Sequence, residues 1–386
     1  MRPAPIGRRR AVTPAPTTTL PLYEVLGAQY ERALARHGIN AAMLTHKWQR
    51  ADLRAPHSDL DVRVLLESAP ADWREWNHHL AAAHADAVIR EPRNRRLLEH
   101  PPGFAFTLAE VHQRRISPPE LATWSLIHGH EPTLQRWKSH AQMVPWTRQD
   151  ERFYRGILDS RLNGRYQLAA DSVDNVSEDL PGYRRHCVAW HYLAPCWFAA
   201  ASLATRTRCP GKSAALTQWH PAGLERHAEM FLRHAGSGPP YETGRTPAIR
   251  DLLRAAHIAL DAAMHQVPAP ADGAEFEEAE GSRAMAWTMT AGMLRVRVAR
   301  WLYYLDPPRG AITGYLITRE AKELRAATEV LRSLASDGST PEQSLAARMA
   351  DILPAGPTTA AVLRDALTQW ARHHALVEDF LSAHAA

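Results

Sequence analysis

The stretch Ser58-Asp59-Leu60-Asp61-Val62-Arg63-Val64-Leu65-Leu66 decides the fold of the first part of the chain. It joins two carboxylates, two residues apart, to a run of apolar and β-branched residues that is typical of a strand. Alternate side chains of a strand point to opposite faces, so Asp59 and Asp61 would lie side by side while Leu60 faces a core. Such a pair suits Mg²⁺, which prefers a few carboxylates together with substrate phosphates. The alternative is a strand edge with two solvated acids.

The flanking segments predict an alternation of helices and strands. An apolar stripe at helical spacing predicts a helix over 23–37, which Gly38 ends. We expect a short strand over 39–45, a helix over 71–85 and a further strand over 104–108. These elements would form a small mixed α/β unit around the acidic stretch.

This order of elements resembles the nucleotidyltransferase fold of the DNA polymerase β superfamily, and most of all the stand-alone enzymes related to aminoglycoside nucleotidyltransferases. The string Pro56-His57-Ser58-Asp59-Leu60-Asp61 is similar to the family's approach to its Asp-x-Asp motif. The resemblance covers roughly residues 20–235 and implies that Asp59 and Asp61 are catalytic and bind Mg²⁺ or Mn²⁺. It further implies an NTP as co-substrate, with Ser58 in the nucleotide-binding segment.

Two positions depart from the family pattern. The family's Gly-Ser turn, which holds the triphosphate, falls on Lys47 and Trp48, where a bulky side chain replaces a small one. Lys47 and Arg50 would supply charge to phosphate in place of backbone donors, unless they are solvated turn residues. The strand expected to bring a third carboxylate carries Ala105 instead. Glu110, just beyond it, is the candidate, the alternative being an acid that begins a helix.

A second group of candidates lies in the later part of the chain. The stretch from Gly211 and Lys212 to Trp219 resembles the helical second domain of the same relatives, where a basic residue commonly faces the triphosphate. Lys212 is the candidate for that residue, with Arg206 or Arg208 in support. The alternative is a loop lysine next to a helix start, which would itself favour an anion.

The acidic segment 171–179 carries a candidate general base. In enzymes that adenylylate a hydroxyl or an amine, a carboxylate of the second domain often has this role, and Glu178 or Asp179 could fill it. Capping of a helix start is the alternative for both residues.

The second half of the chain is predicted to be helical, because Ala- and Leu-rich windows with a period near 3.6 are typical of helical bundles. The predicted segments are 152–161, 184–205, 221–234, 247–266, 282–304, 318–335, 341–352 and 358–383. The predicted fold class is therefore α+β. We expect residues 1–20 to form a disordered tail, 21–145 a small mixed-sheet nucleotidyltransferase-like head, and 146–386 a larger α-helical domain.

Composition limits the functions and partners. The net charge of +5, from 46 basic and 41 acidic residues, is a small excess without a basic stripe, so nucleic acid is not an expected partner. The sequence contains no run of eighteen apolar residues, so no membrane span is predicted. The first twenty residues lack the apolar segment of a secretory signal. Three widely spaced cysteines predict neither a disulfide framework nor a zinc site, which favours the cytoplasm.

The sequence leaves three functions open. The first is an enzyme that moves a nucleoside monophosphate from Mg-NTP to a hydroxyl, amine or carboxylate of a small molecule. The second is a repurposed nucleotidyltransferase fold that catalyses a ligation or a nucleotide-independent step in a specialised bacterial pathway. The third is a non-catalytic binding protein. No motif identifies the acceptor, the preferred NTP or the oligomeric state.

Overall fold

The computed structural model of the chain describes thirteen segments. They are residues 20–53, 58–90, 97–98, 104–113, 115–162, 190, 193–236, 258–267, 332, 340–352, 361–362, 364–366 and 368–369. The four strands are β1 (Met43–His46), β2 (Val62–Leu66), β3 (Phe104–Thr107) and β4 (Ser125–His128). The helices are α1 (Leu20–Arg36), α2 (Trp73–Arg90), α3 (Leu108–His112), α4 (Pro118–Ala122), α5 (Glu131–Met143), α6 (Arg148–Leu162), α7 (Ala194–Thr205), α8 (Lys212–Gln218), α9 (Glu225–Gly236) and α10 (Pro341–Ile352).

The strands form one mixed sheet in the order β3-β2-β1-β4. Strand β1 pairs antiparallel with β2 and with β4, whereas β2 and β3 are parallel. The parallel pair is joined through α2, since parallel neighbours need a crossover connection. The prediction of a mixed α/β fold is confirmed, with one addition: β4 was not predicted, because a four-residue strand whose side chains are mostly half-buried has little periodicity to detect.

The two faces of the sheet belong to two apolar cores. On one face Leu44, Val62 and Val64 pack with buried residues of α1 and α2. On the other face Met43 and Leu65 pack with buried residues of α4 and α5. This alternation follows from the period of two in a strand, and it places Leu60 with Val62 on the α1 side, as the sequence predicts.

A third core lies among the helices that follow the sheet. Helix α7 is buried along ten consecutive residues, Ala194 to Leu203, as expected for a helix that is apolar on every side. It packs between α6 and α8, and the same cluster contains Phe231 of α9 and Leu260 of the helical residues 258–264.

Two predicted boundaries change in ways that matter for function. Strand β2 begins at Val62, so Asp59 and Asp61 precede the strand and do not lie in it as predicted. Strand β1 is shifted to Met43–His46, so its end reaches the position before Lys47. The predicted helix 282–304 lies outside the described residues, and of the predicted helix 318–335 only residue 332 is described, as helical. Among the residues that the structure describes, no helix is both long and apolar enough to cross a bilayer.

Candidate functional site

The two aspartates lie where β1 ends and β2 is about to begin. The amide of Lys47 donates to the carbonyl of Asp61 at 3.1 Å, one step beyond the last strand pair. Leu60 is buried and its amide donates to the carbonyl of Leu97 at 2.7 Å. Asp59 and Asp61 are both half-buried. The backbone therefore turns the residue between the acids inward while both acids keep contact with solvent.

A buried carboxylate that sequence reasoning missed lies at the same end of the sheet. Glu120 of α4 contacts the Lys47 ammonium at 3.1 Å and the Arg63 guanidinium at 2.7 Å. Arg63 in turn donates to the carbonyl of Asp61 at 3.0 Å, which connects the three side chains to the acidic pair. The sequence signal was slight, since Glu120 follows two prolines at the start of a short helix and resembles an ordinary first-turn acid.

The charge state of Glu120 follows from its two cationic neighbours. Burial alone would raise the pKa of the Glu120 carboxyl, but the charges of Lys47 and Arg63 outweigh it and lower the pKa to about 2. Glu120 is therefore an anion at neutral pH and compensates the two cations. It also receives a hydrogen bond from the Trp124 indole at 3.3 Å, so this carboxylate acts as an anchor for Lys47 and Arg63.

The structure does not bring Glu110 to the acidic pair. Glu110 forms a capping box with Thr107, in which each residue's side chain accepts from the other's backbone amide, and it contacts Arg115 at 3.4 Å. Thr107 pairs with Leu66 at the far end of β2. Leu66 lies five positions after Asp61, a span of roughly 16 Å at about 3.3 Å per residue. The expectation of a third metal ligand at Glu110 is thus replaced by a helix cap.

The backbone of Trp48 has a conformation that is unusual for its residue type. Its φ of 74° lies in the left-handed region, which a tryptophan rarely adopts and glycine adopts freely. The Lys47 ammonium lies 5.3 Å from the Trp48 ring centroid and the Lys212 ammonium 4.7 Å from it. Phe198 meets the same ring edge-on at 5.1 Å. The ring thus brings the two predicted phosphate-binding lysines to one place.

The surroundings of Lys212 differ from those of an exposed loop lysine. The residue is buried, with 2% of its surface exposed, and its ammonium also lies 5.0 Å from the Trp190 ring. Cation–π contacts of this kind contribute about 0.5–2 kcal/mol each, and more when the cation is desolvated. The start of helix α8 does not offer the predicted anion site, because a carboxylate of the chain occupies it.

That carboxylate is Asp52, from the short 3-10 turn Arg50–Asp52 after β1. Its two oxygens accept from the amides of Lys212 at 2.9 Å and Ser213 at 2.7 Å. Gly211 permits the approach, since an added Cβ would overlap the Asp52 carboxylate. The Asp52 carbonyl accepts from the Trp190 indole at 2.8 Å. The turn after β1 is therefore fastened to the helical part of the chain.

The two arginines named in support of Lys212 have other contacts. Arg208 is buried and forms a two-pronged ion pair with Asp150, at 2.6 and 2.8 Å. Its remaining donors bond the carbonyls of residues 141, 144 and 145. Arg206 is exposed and forms the C-cap of α7 with a φ of 50°. Arg208 thus joins α5, α6 and the loop before α8, and has no donor left for a phosphate.

The other predicted nucleotide contacts are near the acidic pair but differ in accessibility. Arg50 is exposed and lies 3.5 Å from Glu24 of α1. Ser58 is buried, and its carbonyl accepts from the Tyr23 hydroxyl at 3.0 Å. The predicted base Glu178 lies outside the described residues.

A histidine that the sequence reasoning did not select lies at the end of β1. The Nδ1 of His46 lies 2.9 Å from the carbonyl of Lys47, which can only accept, so Nδ1 carries the proton. Burial lowers the pKa of His46 to about 4, with further lowering by Arg50 and Arg63 and opposition from the Lys47 hydrogen bond and Asp61. The ring is therefore neutral at pH 7.

Within the described residues, no three His, Cys, Asp or Glu side chains converge on one point as a ready metal cage. Asp59 and Asp61 alone would leave most positions around a cation for phosphate oxygens or water, an arrangement that Mg²⁺ accepts. Comparisons with protein-family models, curated proteins and solved structures found no match to this chain.

Proposed function

We propose that this protein is a nucleotidyltransferase-like enzyme that moves a nucleoside monophosphate from Mg-NTP to a hydroxyl, amine or carboxylate of a small molecule. The observation that carries the proposal is the Asp59-Leu60-Asp61 segment, whose two half-buried acids flank an inward-facing leucine. This segment lies against the end of β1, where Lys47 bonds the Asp61 carbonyl. Carboxylates and a lysine at one sheet end suit a cation and a phosphate chain together.

In this proposal the acidic residues bind the metal ion and the basic residues bind the phosphate groups. The carboxylates of Asp59 and Asp61 fit Mg²⁺ or Mn²⁺, which would neutralise phosphate charge when bound. The Lys47 side chain is 20% exposed beside Glu120, so an anion in solvent would have access to it. Lys212 lies behind Trp48 and raises the local positive potential, while Arg50 is open to solvent.

A second candidate is the repurposed fold, in which the site accepts a small molecule and no NTP. Trp48 favours it, since its indole occupies the position where a small residue would let phosphate approach the backbone. The two candidates differ in one measurable property, the dependence of ligand binding on both Mg²⁺ and a nucleotide.

The test is the thermal stability of the purified protein with ATP, CTP, GTP and UTP, each with and without Mg²⁺. A ligand at about one hundred times its dissociation constant stabilises the folded state by roughly 2.7 kcal/mol. We expect a Mg²⁺-dependent increase in melting temperature with at least one NTP, and its loss in Asp59→Asn and in Asp61→Asn. Asp72→Asn is the matched control, because Asp72 is an exposed acid outside the acidic pair, at the start of α2.

Two outcomes would contradict the proposal. One is the absence of any Mg²⁺-dependent shift with the four nucleotides, which would favour the repurposed fold and direct a screen towards metabolites. The other is full pyrophosphate release by both single Asn variants with an acceptor on which the unsubstituted protein is active, which would separate the acidic pair from the chemistry.

A further inference from the structure

Hydrogen bonds from separate parts of the chain hold the backbone of the acidic segment, which comprises residues 58–61. The carbonyl of Ser58, directly before the first acid, accepts from the Tyr23 hydroxyl at 3.0 Å. The Leu60 amide, between the two acids, donates to the carbonyl of Leu97 at 2.7 Å. Tyr23 and Leu97 both belong to the core on the α1 face of the sheet. The backbone is thus tied to that core on each side of the first acid.

The second acid is tied to the sheet. The carbonyl of Asp61 accepts from the amide of Lys47 at 3.1 Å and from the Arg63 guanidinium at 3.0 Å. Arg63 is itself held by Glu120, whose carboxylate it contacts at 2.7 Å. Because the acidic segment lies outside any helix or strand, these bonds fix the backbone from which both carboxylates project.

Of the contacts above, two come from side chains, those of Tyr23 and Arg63. Two carboxylates that share a cation must keep a fixed separation, and the groups behind a metal ligand set its orientation. Substituting Arg63 would not isolate this effect, because it would also leave the buried Glu120 carboxylate short of a cation. Tyr23 allows a cleaner change. It is 5% exposed, and phenylalanine fills the same space without the oxygen that bonds Ser58.

We propose that Tyr23 is a positioning residue for the acidic pair. Its hydroxyl fixes the peptide group that leads into Asp59, and through the backbone it sets the separation of the two carboxylates. That the pair binds a metal ion rests on the proposed function. That Tyr23 holds the backbone does not, since the hydrogen bond joins two residues of the chain itself.

The test compares Tyr23→Phe with Tyr30→Phe in the full chain. Tyr30 gives the matched control, because it is a buried tyrosine of the same helix whose hydroxyl lies 3.3 Å from Nδ1 of His84 on α2. Hydrogen–deuterium exchange without added metal measures how firmly residues 58–61 are held. We expect their amides to exchange about fivefold faster in Tyr23→Phe, the effect of losing one hydrogen bond, and no faster in Tyr30→Phe.

The second readout is the affinity for Mn²⁺ alone, measured from the paramagnetic resonance of the free ion. Asp59→Asn identifies the ions that bind at the acidic pair. We expect Tyr23→Phe to weaken this binding about tenfold, the loss typical when a group that orients a metal ligand is removed, and Tyr30→Phe to leave it within about twofold.

Unchanged exchange in Tyr23→Phe, or equal effects of the two Tyr→Phe variants on either readout, would overturn this inference. Mn²⁺ binding that Asp59→Asn weakens and Tyr23→Phe does not would also overturn it, while the metal site of the proposed function would stand. Faster exchange confined to residues 58–61, without Mn²⁺ binding at the pair, would support the role of Tyr23 and contradict that metal site.

Discussion

Removing the Asp52 carboxylate should loosen the junction between the turn after β1 and helix α8. Asp52 is fully buried and accepts two amide hydrogen bonds from residues 160 and 161 positions away in the chain. Hydrogen bonds to a carboxylate contribute about 1.5–3 kcal/mol each. We therefore expect Asp52→Ala to lower the free energy of unfolding by about 3–5 kcal/mol, a large part of the 5–15 kcal/mol typical of a domain.

Urea unfolding followed by circular dichroism measures this change, and two variants serve as controls. Asp52→Asn keeps the shape and one acceptor oxygen, so it should lose about half as much. Asp72→Ala removes an exposed cap of α2 and should cost only about 0.5–1 kcal/mol. A loss below about 1 kcal/mol in Asp52→Ala, no larger than that of Asp72→Ala, would refute the idea that this carboxylate holds the turn to the helix.

Three further variants test the neighbouring contacts. Glu120 is stabilised as an anion, with a folded pKa of about 2 against an ordinary 4.5. Its contribution to the free energy of unfolding is thus complete above pH 4.5 and is lost as the pH falls towards 2, a change of about 3 kcal/mol. When the free energy of unfolding is measured against pH in acid, Glu120→Gln should lack this change. Gly211→Ala should destabilise the fold by about 1–3 kcal/mol, because the added methyl group overlaps Asp52. Gly156→Ala is the control, since nothing lies within 4 Å of its added Cβ in helix α6, and its melting temperature should be unchanged or higher. Arg208→Lys should cost about 3–5 kcal/mol in urea, since lysine cannot reproduce a buried two-pronged ion pair, and an unchanged midpoint would contradict the stabilising contribution of that pair.

Short-range patterns predicted much of the α/β part. The alternation of Leu60, Val62 and Val64 with polar residues predicted which side chains face the α1 core, and the structure confirms it. Apolar stripes predicted α1 over 23–37 and α2 over 71–85. The structure has these helices at Leu20–Arg36 and Trp73–Arg90. These features were predictable because the period of a helix or strand is written into neighbouring residues.

The strand boundary at the acidic pair was less predictable. Asp59 and Asp61 precede β2 because ladder pairing with β1 stops at Val62, and pairing depends on a partner strand that the local pattern does not contain. The same reason explains why β4 was missed. Glu110 was misjudged because its position relative to Asp61 depends on the parallel direction of β3.

By itself, therefore, the sequence determined the mixed α/β character of the described residues, the buried side of the acidic stretch and the choice of Lys47, Asp59 and Asp61 as candidates. The tertiary structure alone decided that Glu120 anchors Lys47 and that Asp52 caps α8 from a distant turn. The physical reason is the separation along the chain over which each kind of interaction acts. Periodicity and propensity act between near neighbours, whereas ion pairs and caps form between residues that only chain closure brings together.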